Sequence, residues 1–555
     1  MKKRPLLKPV ILALAGLFLV NLLSDFWYTR WDLTEDRRFT LAQPSLDATD
    51  IFDGPVVIDV LLEGDLPSEF ARLQREVRLL LEQFADRNPH LRFEFIDPME
   101  GAENPAGVIQ QLQELGLKPA SVTTEEDGKV SQELVFPWAM VNYGQRTEKV
   151  ALLRNQLGAS MEERINGSIQ NLEYAFADAF TKLGRQERKR VAVLKGNGEL
   201  EDIFLADYLT SLRDYYNIAP FTLDSVAADP ARTLNQLSQF DAALIAKPTE
   251  AFSEAEKLVL DQFMVQGGRT LWLIDAVAMD LDSLLNPDGQ SVALGMSLNL
   301  DDLWFRYGVR LNPNLVADLV CSQIVLATGE GNDSQYSPVP WVYDPMVLSP
   351  DNHPINTNLE ALRLQFAGSI DTLANDYRKT VLYRSSPRSR LEGTPKLISL
   401  DIIGSEPDPA AFGPGHFPLA VLVEGPFQSA YRNRVREVDL PGFLDTGPEN
   451  KLIIVGDGDL AANQLQNGRP LELGYDPWTN NFYGNKEFLV NAMNYLLEDT
   501  GLINIRNKRV SIPLLDTRRI SEEKSRWQLL NIGLPLLLVL LAGLGFQLLR
   551  KRQYG

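Results

Sequence analysis

Residues Lys451 to Ala462 read KLIIVGDGDLAA. A charge-free apolar run, Leu452 to Val455, stops at Gly456-Asp457-Gly458-Asp459-Leu460-Ala461. A continuous β-branched and leucine run of this length reads as a strand covered on both faces, which belongs in a parallel sheet. The letters that follow match the G-x-G-x-x-A dinucleotide fingerprint. Asp476 even lies where a ribose-binding acid would fall. The fingerprint also needs a helix whose N-terminus meets the pyrophosphate. The sequence ANQLQNGRPLELG, broken at Asn467-Gly468, supplies none. Asp457 and Asp459 would aim charge at the phosphates, so no cofactor is expected here.

Working outward, the chain alternates strand and helix patterns on the N-terminal side. RVAVLKGNGEL and DIFLADYLTSLRDYY read as strand, glycine turn and helix. DAALIAKP, SEAEKLVLDQFMVQGG and RTLWLID then give strand, helix, Gly-Gly stop and strand. Such alternation predicts a doubly wound, amidotransferase-like α/β domain with a parallel sheet over 191–510. From about 280 to 410 the pattern loosens into proline-rich, aromatic-bearing hairpins and loops. FPLAVLVEG and the helix NKEFLVNAMNYLLED restore it.

A second α/β unit is expected over 29–159. PVVIDVLL is a strand, and Phe70, Leu73, Val77, Leu80, Leu81 and Phe84 recur at helical spacing. LRFEFIDP is the next strand, and a strand–helix–strand of this length implies a right-handed crossover and a parallel pair. A helix over Val108 to Leu115 and three β-type runs follow, with turns at Asp127-Gly128 and Tyr143-Gly144. The layout is thioredoxin-like without a C-x-x-C, so a scaffold or binding surface is expected. Residues 160–190 form a helical linker with Ile165, Ile169, Leu172, Ala175 and Phe176 on one stripe.

The ends carry the membrane signal. Lys2, Lys3, Arg4 and Lys8 precede an apolar run from Pro9 to Leu23, followed by Trp27, Tyr28 and Trp31. Leu529 to Leu549 carries no charge and spans about 31 Å as a helix, enough for a bilayer core. Trp527 precedes it, and Arg550, Lys551 and Arg552 follow. The first run has signal-peptide length, but NLLSDFWYTRW offers no A-x-A-like cleavage site. The reading is therefore a cytoplasmic 1–8, a span over 9–28, a membrane-proximal linker 511–527, a span over 528–549 and a cytoplasmic 550–555. Basic residues outside both spans put both termini in the cytoplasm and the bulk of the chain across the membrane, in the periplasm.

Composition excludes several functions. The net charge of −20 gives no basic surface for nucleic acid. The single cysteine, Cys321, rules out an intramolecular disulfide and Cys-rich metal modules. His90, His353 and His416 are dispersed, and neither a nucleotide-binding P-loop nor a G-x-S-x-G nucleophile motif occurs. What remains is a set of polar strand ends: Asn197 and Glu199 in GNGEL, Lys247-Pro248, Asp275, and Asp457 with Asp459. Ligands of open α/β sheets collect beyond the carboxyl ends of the strands. Asn197, Glu199, Asp275, Asp457 and Asp459 are thus the candidate ligand cleft. The alternative is that each aspartate caps a turn and each glycine supplies φ > 0.

RWDLTEDRRFTLAQPS (Arg30 to Ser45), LPSEFARLQREVRLLLEQF, GNGELED, LDQFMVQGGRTLWLID, DDLWFRYGVRLNPNLVADL, FPLAVLVEGPFQSAYRNR, VGDGDL and YGNKEFLVNAMNYLL follow one another along the chain. This ordered series resembles the gliding-motility-associated ABC-transporter auxiliary proteins of the GldG type, over nearly the whole length. The resemblance implies a non-enzymatic, substrate-binding-like subunit in a bacterial inner membrane. Its partners would be a polytopic permease, a cytoplasmic ABC ATPase and a periplasmic ligand or envelope protein. It implies no catalytic residue, no metal and no particular substrate. The competing reading is a membrane-tethered α/β hydrolase or transferase using Asp457, Asp459 and Glu199. A third makes the ectodomain a purely structural scaffold.

Overall fold

The computed structural model describes residues 40–507, apart from 127–128, 155–158, 185–186, 329–334, 405–406, 437, 439 and 499–500, together with 517–554 and the isolated residues 16 and 18. The expected N-terminal span and the Asp127-Gly128 turn lie outside the described residues. The chain divides into two compact units, Met1–Arg509 and Val510–Gly555.

Within the first unit, α1 (Gln43–Asp50) leads into β1 (Val56–Val60), α2 (Ser68–Arg87) and β2 (Leu91–Phe95). β1 and β2 pair in parallel, as the strand–helix–strand pattern predicts. The predicted α2 stripe, Phe70 to Phe84, is the buried face. After α3 (Pro105–Glu114), β3 (Ala120–Glu126) and β4 (Lys129–Val135) form a separate two-stranded ribbon. β5 (Trp138–Tyr143) and β6 (Arg146–Ala151) complete a four-stranded sheet in the order β2-β1-β5-β6. Gly144, at φ +61°, makes the left-handed turn between them. The long helix α4 (Met161–Gly184) packs on α1 and α2, with Phe180 edge-on to Phe84 at 5.1 Å.

The larger sheet is built from β7 (Arg190–Lys195), α5 (Asp202–Arg213), β8 (Asn217–Thr222), α6 (Pro230–Leu237), β9 (Ala242–Ala246), α7 (Glu254–Val265) and β10 (Arg269–Leu273). The insertion then contributes the helix α8 (Asp301–Tyr307) and β11 (Arg378–Arg384). β12 (Pro418–Gln428), β13 (Thr446–Val455) and α9 (Asn485–Leu497) close the unit. Strand order is β11-β12-β13-β10-β9-β7-β8. The five strands β13, β10, β9, β7 and β8 run parallel; β12 runs against them, and β11, antiparallel to β12, returns to their direction. The sheet is therefore mixed. β11 also shows that the irregular 280–410 region gives a strand to the core sheet, which loose local patterning hides.

Alternate residues of the parallel strands serve two cores, which is why the strands read as unbroken apolar runs. Val191, Val193, Leu271, Leu273, Ile453 and Val455 face α5 and α9. Ala192, Leu194, Ile245, Trp272 and Ile454 face α6, α7 and α8, with Trp272 edge-on to Trp304 at 4.8 Å. Helices thus cover both faces. α7 starts with a full capping box, Ser253 with Glu256, and stops at Gly267, whose φ of +104° ends the helix as its Gly-Gly signal predicts.

Polar ties lock the mixed side. The buried carboxylate of Asp261 on α7 accepts from the Tyr307 hydroxyl (3.0 Å), the Ser429 hydroxyl (2.6 Å) and the Ala430 amide (2.8 Å). It joins α7, α8 and the end of β12. Around the insertion, Trp341, Tyr343 and Phe366 form a further core.

In the second unit, α10 (Thr517–Tyr554) begins inside the segment expected to be a linker. Its portion Glu522–Arg552 is long and apolar enough to cross a membrane, and none of it is buried against protein.

Replacing Asp261 with alanine strands three buried donors. A loss of about 3 to 5 kcal/mol is expected, read as a lower denaturation midpoint of the detergent-solubilised chain.

Candidate functional site

Four polar strand ends lie along one edge of the large sheet. β7 ends in the turn Gly196 to Leu200, β9 in Lys247, β10 in Asp275, and β13 in Gly456 to Asp459. The chain leaves β7 for β8 on one side and returns to β9 on the other, so the strand order reverses there. Such a switch point opens a crevice in doubly wound sheets.

Three carboxylates converge. One oxygen from each of Asp275, Asp457 and Asp459 lies within 4.8 Å of the other two. Asp457 is fully buried, and its oxygens accept the amides of Asp459 (2.7 Å) and Gln365 (2.9 Å). Asp275 is buried as well and accepts the Gly458 amide at 2.6 Å. The Lys247 ammonium reaches both oxygens of Asp459 at 2.6 Å and lies 3.6 Å from Asp275. A lysine thus occupies the position where a cation would sit among three carboxylates.

The glycines of GDGD act by their lack of a side chain. Neither Gly456 nor Gly458 has positive φ, contrary to the expected turn role; Gly458 sits at −75°. A Cβ on Gly456 would come 2.2 Å from the Gly368 carbonyl, and one on Gly458 would lie 2.7 Å from Cγ of Lys247. Close approach of backbone and lysine stem is what requires them. Positive φ falls instead on Gly196 and Gly198, as expected for GNGEL, and on Lys247 itself at +53°. A bulky residue pays for that conformation, and the ion pair with Asp459 holds it there.

Electrostatics follow from the burial. Burial, then the Asp459 charge, push the Asp275 carboxyl up to about 7. Burial and the two neighbouring carboxylates raise Asp457 well above the carboxylate range. Burial alone would lower the Lys247 ammonium, but Asp459 and Asp275 outweigh it and raise its pKa.

The other two predicted residues stand apart from this cluster. The Asn197 carbonyl accepts the amides of Thr249 (3.0 Å) and Glu250 (2.9 Å), and Glu199 accepts the Asn197 amide at 2.8 Å. Burial raises the Glu199 carboxyl. Neither residue lines the cleft that opens beside Lys247 and Asp459.

That cleft, about 1130 Å³, is bordered by Lys247, Asp459, Arg363, Gln365, Asp476, Trp478 and Tyr336, among others. Of the five predicted site residues it takes in Asp459 alone. Sequence reasoning passed over Lys247 as a site residue, although a lone cation ending the apolar run DAALIA was a legible signal. It missed Arg363, which pairs with the buried Asp344 at 2.9 Å, because both belong to the irregular insertion.

A mixed α/β sheet covered by helices, with a polar cleft beyond its carboxyl edge, defines the class of fold. Within it the chain belongs to the family described as an ABC-type uncharacterized transport system, whose model matches residues 188–492, more than half the chain. It is the auxiliary component of such a system. A second model, a domain of unknown function (DUF7088), matches residues 35–142. No curated protein matches the sequence. Among solved structures, the mmIFT52 N-terminal domain is 12% identical, with a TM-score of 0.32, over 56% of this chain and 98% of that one.

Two expectations follow. Lys247→Met leaves Asp459 and Asp275 without their cation, so about 3 to 5 kcal/mol is lost at pH 8. The loss shrinks at pH 5, below the Asp275 pKa of about 7, and denaturant titration at both values measures it. The second concerns Asp275, whose folded pKa lies above its unfolded value. Between these values the folded state binds more protons, so stability falls as pH rises from about 4 to about 7. Asp275→Asn should flatten that slope in a pH series of melting curves.

Proposed function

We propose that the chain is the substrate-binding-like subunit of a GldG-type ABC transport complex in a bacterial inner membrane. In this reading it crosses the membrane twice, keeps both termini in the cytoplasm and holds its ectodomain in the periplasm beside the permease. The ATPase is a separate chain. The subunit catalyses nothing: it couples permease motion to a periplasmic ligand or envelope partner through the cleft. Residues 29–159 serve as a thioredoxin-like scaffold, and 191–510 as an amidotransferase-like ligand domain. Gliding motility, or another envelope process, is the setting that the GldG resemblance suggests.

The observation that carries the proposal is that the transport-family match, 188–492, coincides with the sheet whose carboxyl edge forms the 1130 Å³ cleft. The apolar stretch Glu522–Arg552 supports the anchor, and the cations at both ends support the orientation. The disposition of the carboxylates supports a non-catalytic role. Asp457 and Asp275 are bound by backbone amides, and Lys247 holds Asp459, so none is free to act as a base. A permease and an ABC ATPase should co-purify with the tagged full chain in mild detergent, in near-stoichiometric amounts. Recovery of the chain alone after gentle extraction overturns the reading.

A further inference from the structure

We propose that the cleft binds a neutral oligosaccharide, held on the aromatic pair Tyr336 and Trp478. The inference rests on the ligand-cleft reading above and names the class of ligand.

Tyr336 and Trp478 stack on each other at 5.3 Å between ring centroids, tilted by 26°. Each is 60% exposed, although both border the cleft. Tyr336 comes from the insertion strand Gln335–Val347, and Trp478 from the loops between β13 and α9. Two segments far apart in sequence therefore place large rings together where water reaches them. Exposed rings mark binding surfaces more often than cores do, because leaving them in water forgoes the gain from burial. The electron-rich ring faces suit the polarised C–H faces of a sugar.

The remaining lining supplies hydroxyl partners. Arg363 is held by Asp344, yet its Nε is buried without a partner. The side-chain amides of Gln323, Gln365 and Gln464 border the cleft and form no hydrogen bond among the described residues. An amide both donates and accepts, as a hydroxyl does, so the two match in pairs. Charge narrows the class. Among the described residues Asp280, Asp282, Asp459 and Asp476 border the cleft against two cations, Lys247 and Arg363, so an anionic ligand is repelled. A cationic one would meet an Asp459 already paired with Lys247. The volume exceeds the roughly 300–1000 Å³ usual for small-ligand pockets, which suits several linked rings over one.

The test uses the full chain in a detergent without a sugar headgroup. Maltotriose, cellotriose and N-acetylchitotriose are titrated by calorimetry and by tryptophan fluorescence. At least one should bind in the micromolar to millimolar range. Trp478→Ala should weaken it at least tenfold and Tyr336→Ala at least threefold, with the melting temperature kept because both rings are exposed. Absence of binding by all three at 10 mM, or binding indifferent to both substitutions, overturns the proposal. So does capture of a neutral proline-rich peptide without any sugar. Co-purification with a permease is scored separately on the unmodified chain. Its persistence with no sugar bound rejects the ligand and spares the transport role, whereas its absence in the unmodified chain rejects that role.

Discussion

The Lys247 ammonium among three carboxylates is the constraint on which the carboxyl edge of the sheet depends. Adjacent parallel strands β9, β10 and β13 end in Lys247, Asp275 and the Gly456–Asp459 turn. Their mutual attraction fixes how far each strand runs before its chain turns away. Three carboxylates this close could not all stay ionised without a counter-charge, because like charges in a poorly solvated site raise one another's pKa. One lysine neutralises Asp459, backbone amides hold Asp275 and Asp457, and the surplus charge is relieved by proton uptake near neutrality. The lysine accepts a left-handed backbone to reach them, and Gly458 gives its stem room.

From that lock the insertion is positioned. The Gln365 amide bonds Asp457, and the Gly368 amide bonds the Gly456 carbonyl at 2.7 Å. The segment between α8 and β11 is therefore pinned onto the end of β13. Arg363 sits two residues from Gln365 and is aimed along the cleft wall by Asp344. A carboxylate that looks catalytic in sequence thus works as a fastener, and the cleft wall is made of residues the fastener holds in place.

Legibility tracked locality. The helix stripe Phe70 to Phe84 and the Gly-Gly stop of α7 were readable because their signals lie within one turn or on one face. The βαβ pairing of β1 with β2 and the buried strands around Trp272 followed from period and length. β11 was not readable, since an edge strand in a polar, irregular region carries no continuous apolar run. The same holds for the convergence of Asp275 with Asp457, which the strand-end argument allowed but could not distinguish from separate turn caps. Tyr336 and Trp478 gave no signal at all, because single aromatics in loops are ordinary.

The sequence by itself determined the class of fold, the apolar helix at Leu529 to Leu549, the absence of a nucleotide loop and the acidic balance. These depend on patterns within short windows or on composition. Only the tertiary structure decided that β12 runs against the other strands of the sheet, that Lys247 takes the cation position, and that Asn197 and Glu199 stand away from the cleft. Each of those is a contact between segments separated by tens to hundreds of residues. Its energy comes from burial and charge pairing, which no local pattern records.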